Sequence, residues 1–168
     1  MRKYAHDASN RNSNSDGYMR VVRLAELYYN FAEVAYQASG PGQVVSVSGL
    51  NMSARGAVNA VRARVGMPEI PSGLTVADFE RRYRNDRRVE FALEADYYFS
   101  LRRWKTLSAT STVTGMKVSG TGAGKTYERF VLGRRSPTTD KFLLYPIDLT
   151  EVSKVLELTG NDWQNPGW

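Results

Sequence analysis

The run with the clearest chemical pattern is glycine-rich and ends in Lys-Thr, from Gly120 to Thr126 (GTGAGKT). A phosphate-binding loop needs four residues between its first glycine and its Gly-Lys-Ser/Thr, so that backbone amides wrap the phosphates. Only three residues stand there in this chain, and the sequence that follows is a poor amphipathic helix. We therefore predict a glycine loop without nucleotide chemistry.

The only histidine of the chain is His6, which lies in a polar N-terminal run. A histidine metal site or a Ser-His-Asp triad would have to use it without help from a second imidazole. The chain has no cysteine, which excludes thiol catalysis, Cys-ligated zinc and disulfides. The sequence therefore predicts a solvated loop histidine, with no metal and no cofactor.

Carboxylates and arginines alternate in the middle of the chain. The residues concerned are Glu90, Glu94, Asp96, Arg87, Arg88, Arg102 and Arg103. Glu90 and Glu94 are four residues apart, which would place them on one helix face as a like-charge pair suited to acid–base chemistry. Neighbouring guanidinium groups keep carboxylates ionised, so a buried ion-pair network that locks helix packing is the better interpretation. We predict that the chain is not an enzyme.

Aromatic side chains are the remaining candidates for a binding site. Aromatic faces stack on sugar rings as well as on bases, but aromatic residues at helical spacing mostly fill the core. Tyr98, Trp163 and Trp168 lie outside the helical stripes and are therefore the weak ligand-binding candidates.

Composition limits the protein class. The chain has 168 residues and 42% hydrophobic content, which favours one compact unit. Its formal charge of +6 would suit nucleic acid, but that role needs the arginines of 81–103 exposed on one face. No run approaches the roughly 18 apolar residues that span a bilayer, and the N-terminus has no signal-peptide pattern. We predict a soluble chain without a nucleic-acid partner.

Apolar periodicity predicts helices as the elements that position these residues. After a loop over 1–20, residues 21–66 are predicted to form a helical hairpin whose second helix is capped by Ser53. Between its two helices the sequence suits either an extended piece or a loop. A long helical block over 75–105 follows, capped by Thr75 and with a bend or break near 95–98.

The C-terminal third is predicted to contain less regular structure. Residues 106–141 are rich in Gly, Ser and Thr and indicate a long loop, with at most a small hairpin. Residues 142–168 are predicted as an extended segment and a short helix over 151–156, capped by Asp148 or Thr150.

Four stretches of the chain resemble the C-terminal region of the SusD/RagB family. They are Arg23–Gln37, Ala57–Pro68, Arg87–Trp104 and Phe142–Trp168. The last two are the specific ones: an Arg-Arg-x-Glu-Phe-Ala-x-Glu run leading to Leu-Arg-Arg-Trp, and a Pro-Ile ahead of the closing Gln-Asn-Pro-Gly-Trp. Two positions depart from the family pattern: Ala95 stands where relatives commonly have glycine, and Ser100 where they commonly have aspartate.

The residues that carry this resemblance are expected to have structural roles. They are Arg87, Arg88, Glu90, Glu94, Arg102, Arg103, Trp104, Pro146, Asn165, Pro166, Gly167 and Trp168. The resemblance implies a mainly α fold, SusD-like, with tetratricopeptide-like helical hairpins plus long loops. It transfers no glycan-contacting residue, because the family's sugar site lies largely upstream of this region.

The resemblance also implies a function. SusD-like proteins are lipid-anchored on the cell-surface face of the outer membrane of Bacteroidetes, bind oligosaccharide without cleaving it, and deliver it to a SusC-like TonB-dependent transporter. Because they are several times longer, we expect residues 1–168 to be the C-terminal part of such a protein, mainly scaffold and transporter-facing, with the lipid anchor elsewhere. A stand-alone helical-repeat module that binds another protein is the alternative, and peptide as the nutrient stays open.

Overall fold

A computed structural model describes residues 22–135 and 139–168 of the chain. Within these ranges it has five α-helices and two small two-stranded antiparallel sheets, which confirms the prediction of a mainly α fold. The predicted loop over 1–20, with His6, lies outside the described residues. Instead of one compact unit, the chain divides into an N-terminal unit, Met1–Arg87, and a C-terminal unit, Arg88–Trp168.

The N-terminal unit begins with two helices that pack on each other, α1 (Leu24–Ser39) and α2 (Ala54–Arg64). Helix α1 ends at Gly40, whose φ of 87° suits glycine and whose N–H donates to the Tyr36 carbonyl at 3.0 Å. Helix α2 begins after Ser53, whose Oγ accepts from the Gly56 N–H at 3.0 Å. The predicted cap at Ser53 is thereby confirmed.

The connection between these helices is a β-hairpin. Strands β1 (Val44–Val47) and β2 (Leu50–Ser53) pair antiparallel, with Val47 opposite Leu50. The turn residues Ser48 and Gly49 have φ values of 49° and 85°, the positive values that a tight two-residue hairpin turn requires. Of the two structures that the sequence allowed here, the extended one forms.

The predicted helical block over 75–105 is two helices, α3 (Val76–Glu90) and α4 (Asp96–Arg103). Thr75 caps α3, since its Oγ1 accepts from the Asp78 N–H at 3.1 Å. The break lies a few residues before the predicted bend, because Leu93 and Ala95 adopt φ values of 69° and 61° that a right-handed helix cannot continue.

Residues 106–141 are more ordered than their composition predicts. Strands β3 (Thr112–Ser119) and β4 (Thr126–Arg134) form an antiparallel hairpin with an irregularity at Val113/Thr114. The Phe130 ring of β4 packs over Gly115 of β3, where a Cβ would lie 2.7 Å from Cζ of the ring. The small hairpin that the sequence allowed is therefore the main regular structure of this region.

The last helix is α5 (Leu149–Thr159), longer at both ends than predicted. Asp148 caps it, with Oδ1 accepting from the Thr150 N–H at 2.9 Å. Gly160 ends it with a φ of 71°, and its N–H donates to the Leu156 carbonyl at 2.8 Å. Among the helices in the described ranges, none has the length and apolarity to cross a membrane.

Candidate functional site

The closing residues 164–168 form a set of side chains that we call the C-terminal clamp. The Gln164 amide acts like a strand partner for Ile147: its Oε1 accepts from the Ile147 N–H and its Nε2 donates to the Ile147 carbonyl, both at 2.9 Å. Asn165 Nδ2 donates to the Tyr145 carbonyl at 2.6 Å. Pro146 lies between these two bonded residues and has no N–H to leave unpaired. The clamp thus holds the extended segment before α5.

Trp168, a predicted ligand candidate, takes part in this clamp. Its Nε1 donates to the Lys141 carbonyl at 2.9 Å, and its ring meets the Phe142 ring edge-on at 5.6 Å. The Lys141 ammonium lies 4.5 Å from the centre of the indole ring. Gly167 makes this approach feasible, since a Cβ there would lie 2.9 Å from Lys141 Cβ and its φ is 86°. Packing therefore uses much of what Trp168 could offer a ligand.

Arg102 connects α4 to the segment that the clamp holds. Its Nε donates to the Leu143 carbonyl at 2.9 Å, and its guanidinium carbon lies 3.8 Å from the centre of the Tyr145 ring. Arg103 reaches the Trp104 ring, with 5.7 Å from guanidinium carbon to ring centre. Arg102 and Arg103 of α4, like Asn165 and Trp168 at the C-terminus, therefore make packing contacts within the C-terminal unit.

Arg87 lies in the N-terminal unit and is almost fully buried, with 2% of its surface exposed. Its Nη1 donates to Asn30 Oδ1 at 2.8 Å and to the Tyr83 hydroxyl oxygen at 3.1 Å, and lies 3.8 Å from Glu33 Oε2. The Tyr83 hydroxyl lies 2.8 Å from the same carboxylate oxygen. Burial raises the pKa of the Tyr83 phenol far above its ordinary value, so this group stays neutral and hydrogen-bonded.

The predicted carboxylate pair does not share a helix face. Glu90 is the last residue of α3, and Glu94 lies in the turn that precedes α4. The prediction was wrong on this point because α3 ends at Glu90 and the left-handed residue Leu93 lies between the two carboxylates. Asp96 starts α4 and accepts from the Ser100 hydroxyl at 3.0 Å. This geometry supplies no acid–base pair.

The glycine run that resembles a phosphate-binding loop is the turn between β3 and β4. Residues Gly122–Gly124 form one 3-10 turn, and a strand follows at Thr126. A phosphate loop needs the N-terminus of a helix there, whose amides and dipole face the anion. Within the described ranges, no cluster of three or more His, Cys, Asp or Glu residues could hold a metal ion.

A cavity of about 600 Å³, which we call the α4–β3 cavity, lies within the C-terminal unit. Its aromatic and aliphatic lining residues are Tyr97, Tyr98, Leu101, Leu107, Val113 and Phe142. Its polar lining residues are Arg88, Arg135, Thr110, Thr112 and Thr114. Apolar walls with a few polar groups are typical of small-molecule sites, and its volume falls within the usual 300–1,000 Å³, roughly, of such sites.

Only one of the three predicted ligand candidates lines this cavity. Tyr98 does so with 43% of its surface exposed, whereas Trp163 lies on the surface after α5 with 62% exposed. The sequence interpretation missed Arg135 and the threonines, because their region was predicted as a long loop. It placed Arg88 in an ion-pair network, but its guanidinium carbon lies 5.9 Å from the centre of the Tyr97 ring.

Comparison with known proteins gives one finding. The model of the SusD family matches residues 1–168. No curated protein and no solved structure matches the chain. The family is a carbohydrate-binding, non-catalytic one that serves nutrient uptake at the outer membrane. Since the match extends over every residue, the chain belongs to the SusD family.

Proposed function

We propose that this chain is part of a cell-surface protein that binds an oligosaccharide and delivers it to a SusC-like TonB-dependent transporter in the outer membrane. The observation that carries the proposal is the SusD-family match over residues 1–168. The protein binds its glycan without cleaving it and is held at the outer membrane by a lipid anchor.

Within that protein, residues 1–168 serve mainly as scaffold. The positions of Arg87, Arg102 and Gln164 support this role, because each bonds to neighbouring protein groups instead of facing open solvent. Buried arginines with several fixed partners hold elements in one arrangement. The scaffold sets the geometry of the sugar-binding surface and leaves the chemistry of capture to exposed side chains.

The N-terminal unit presents an apolar surface suited to a protein partner. Leu24, Leu27 and Val34 of α1 are each more than half exposed. Exposed apolar side chains that follow one helix favour contact with another protein surface. We propose that this part of the scaffold faces the transporter.

The test is a binding and turnover assay on the 168-residue chain with a panel of purified polysaccharides. We expect retardation in an affinity gel with at least one polysaccharide and no shorter product by anion-exchange chromatography of the incubated sugar. Release of shorter oligosaccharides would contradict the proposal. A transporter tagged in the host should co-purify this protein, and failure to do so would contradict the delivery step.

A further inference from the structure

We infer that the α4–β3 cavity binds an anionic saccharide, one that carries a carboxylate or a sulfate group, through Arg88 and Arg135. This inference rests on the proposed glycan-binding function and specifies the class of sugar. It starts from the cavity lining, which holds two guanidinium groups and, among the described residues, no carboxylate.

Among the described residues, the two guanidinium groups have no carboxylate as an ion-pair partner. Within residues 22–135 and 139–168, neither Arg88 nor Arg135 forms an ion pair. Other arginines of the chain do: Arg84 Nη2, for example, lies 2.7 Å from Glu80 Oε1. Two cations that line one cavity and have no ion-pair partner among the described residues create a positive potential that favours an anionic ligand.

Arg88 is held in place without the loss of its donors. Its guanidinium carbon lies 5.9 Å from the centre of the Tyr97 ring, an arrangement that restricts the side chain through the ring face. All its N–H groups remain available, because no hydrogen bond of this side chain is formed within the described residues. A planar guanidinium with open donors recognises carboxylate and sulfate in a bidentate manner.

The rest of the lining suits a sugar ring. Tyr98 is 43% exposed and offers an aromatic face, and aromatic faces pack against the C–H faces of sugars. Thr110, Thr112 and Thr114 supply hydroxyl groups that donate to and accept from sugar hydroxyls. Cation, aromatic face and hydroxyls in one cavity together match a charged saccharide better than a neutral one or a bare anion.

The decisive experiment compares two ligands that differ only in charge. Isothermal titration of the 168-residue chain with tri-galacturonate and with its fully methyl-esterified form isolates the contribution of the carboxylates, and a sulfated disaccharide tests the other anion. We expect binding of at least one anionic probe at least about tenfold tighter than that of the neutral ester, weakening as salt is raised.

Variants assign the effect to the cavity. Arg88→Gln and Arg135→Gln should each weaken binding of the anionic probe by about tenfold, because each removes a charge-assisted pair. Arg129→Gln is the matched control: this arginine lies on β4, is exposed and does not line the cavity, so its loss should leave the affinity within about twofold. Arg88→Lys keeps the charge but not the planar fork, so it should bind the anionic probe more weakly than the parent, and it serves as the second variant if Arg88→Gln fails to fold.

The outcomes separate this inference from the function on which it rests. Equal affinity for the ester and for both anionic probes, or equal losses in Arg88→Gln and Arg129→Gln, would overturn the anionic cavity while glycan binding stands. No binding of any probe here or of any polysaccharide in the panel would overturn both. Displacement of the saccharide by duplex DNA at equal charge would show a general polyanion surface and would also overturn the inference.

Discussion

The two units of the chain stabilise themselves in different ways. In the N-terminal unit an aromatic core surrounds buried charge: the Tyr29, Tyr36 and Phe79 rings lie 5.7, 5.4 and 6.4 Å from the Tyr83 ring, beside Arg87. The C-terminal unit has few buried apolar residues within the described ranges, namely Phe91, Leu101, Leu107 and Val152. Its segments are held instead by side chains that bond to backbone groups.

This difference determines what each unit has available for function. In the N-terminal unit, the buried side chains of Arg87 and Tyr83 hydrogen-bond to each other, so they fix the local structure and are not available to a ligand. The C-terminal unit stabilises its segments at the edges, through Gln164 and Trp168, and retains a cavity with charged residues in its wall. Scaffold and binding surface are therefore expected to respond to different substitutions.

The largest expected effect tests the buried charge of the N-terminal unit. Arg87→Met should lower the free energy of unfolding by about 3–5 kcal/mol, because it removes the guanidinium beside Glu33 while that carboxylate stays buried. Urea unfolding followed by circular dichroism measures the loss. The control is Arg81→Met, which removes an exposed ion pair with Asp78 and should cost less than about 1 kcal/mol. Similar losses in both variants would contradict a special role for Arg87.

The second prediction tests the clamp of the C-terminal unit. Gln164→Ala should cost about 1–3 kcal/mol, because both hydrogen bonds to the Ile147 backbone are lost. Amide hydrogen exchange at Ile147 should accelerate, and exchange at Tyr83 should not. Asn161→Ala is the control, since that side chain bonds only to Thr159 in the exposed turn after α5. Unchanged exchange at Ile147 would contradict the clamp.

Local signals in the sequence predicted the helix ends well. Ser53, Thr75 and Gly40 act within a few residues of their own position, so their chemistry alone specifies the cap or stop. The break between α3 and α4 was predicted near 95–98, a few residues after its actual position, because no glycine or proline marks it. Ala95 adopts a left-handed φ that its side chain disfavours.

Contacts between distant residues could not be predicted in the same way. Gln164 bonds to Ile147 across 17 residues and Trp168 to Lys141 across 27, and no local pattern specifies these partners. The β3–β4 hairpin was predicted only as a small element within a long loop, because Gly, Ser and Thr are frequent in this region. Arg135 follows this hairpin directly, so its position in the cavity wall had no signal in the sequence.

A third prediction uses Ala95, which adopts a left-handed φ of 61°. Ala95→Gly should stabilise the protein by up to about 1 kcal/mol, because relief of a left-handed alanine exceeds the entropy cost of glycine. Ala92→Gly is the matched control: that residue does not have a positive φ, so it should lose stability. Thermal midpoints of the two variants measure the contrast. A loss in Ala95→Gly would show that the break is fixed by packing and not by this residue.

The smallest expected effect concerns the cap of α5. Backbone and side-chain hydrogen bonds from Thr150 lower the pKa of Asp148, so the ionised cap stabilises the folded state. A lowered folded pKa means that this contribution is present above the unfolded pKa and is lost as the pH falls through the folded pKa. Asp148→Ala should therefore melt slightly earlier than the parent chain at about pH 6, and the gap should close near about pH 2.

Asp148→Asn separates charge from hydrogen bonding at the same position. Asparagine keeps an acceptor for the Thr150 N–H but has no proton to gain. Its melting temperature should therefore lie close to the parent's at about pH 6. In acid, it should not show the loss of stability that protonation of Asp148 causes in the parent. Circular dichroism melts of the three proteins at both pH values make the measurement. A gap between parent and Asp148→Ala that persists unchanged in acid would show that the carboxylate's charge contributes nothing to α5.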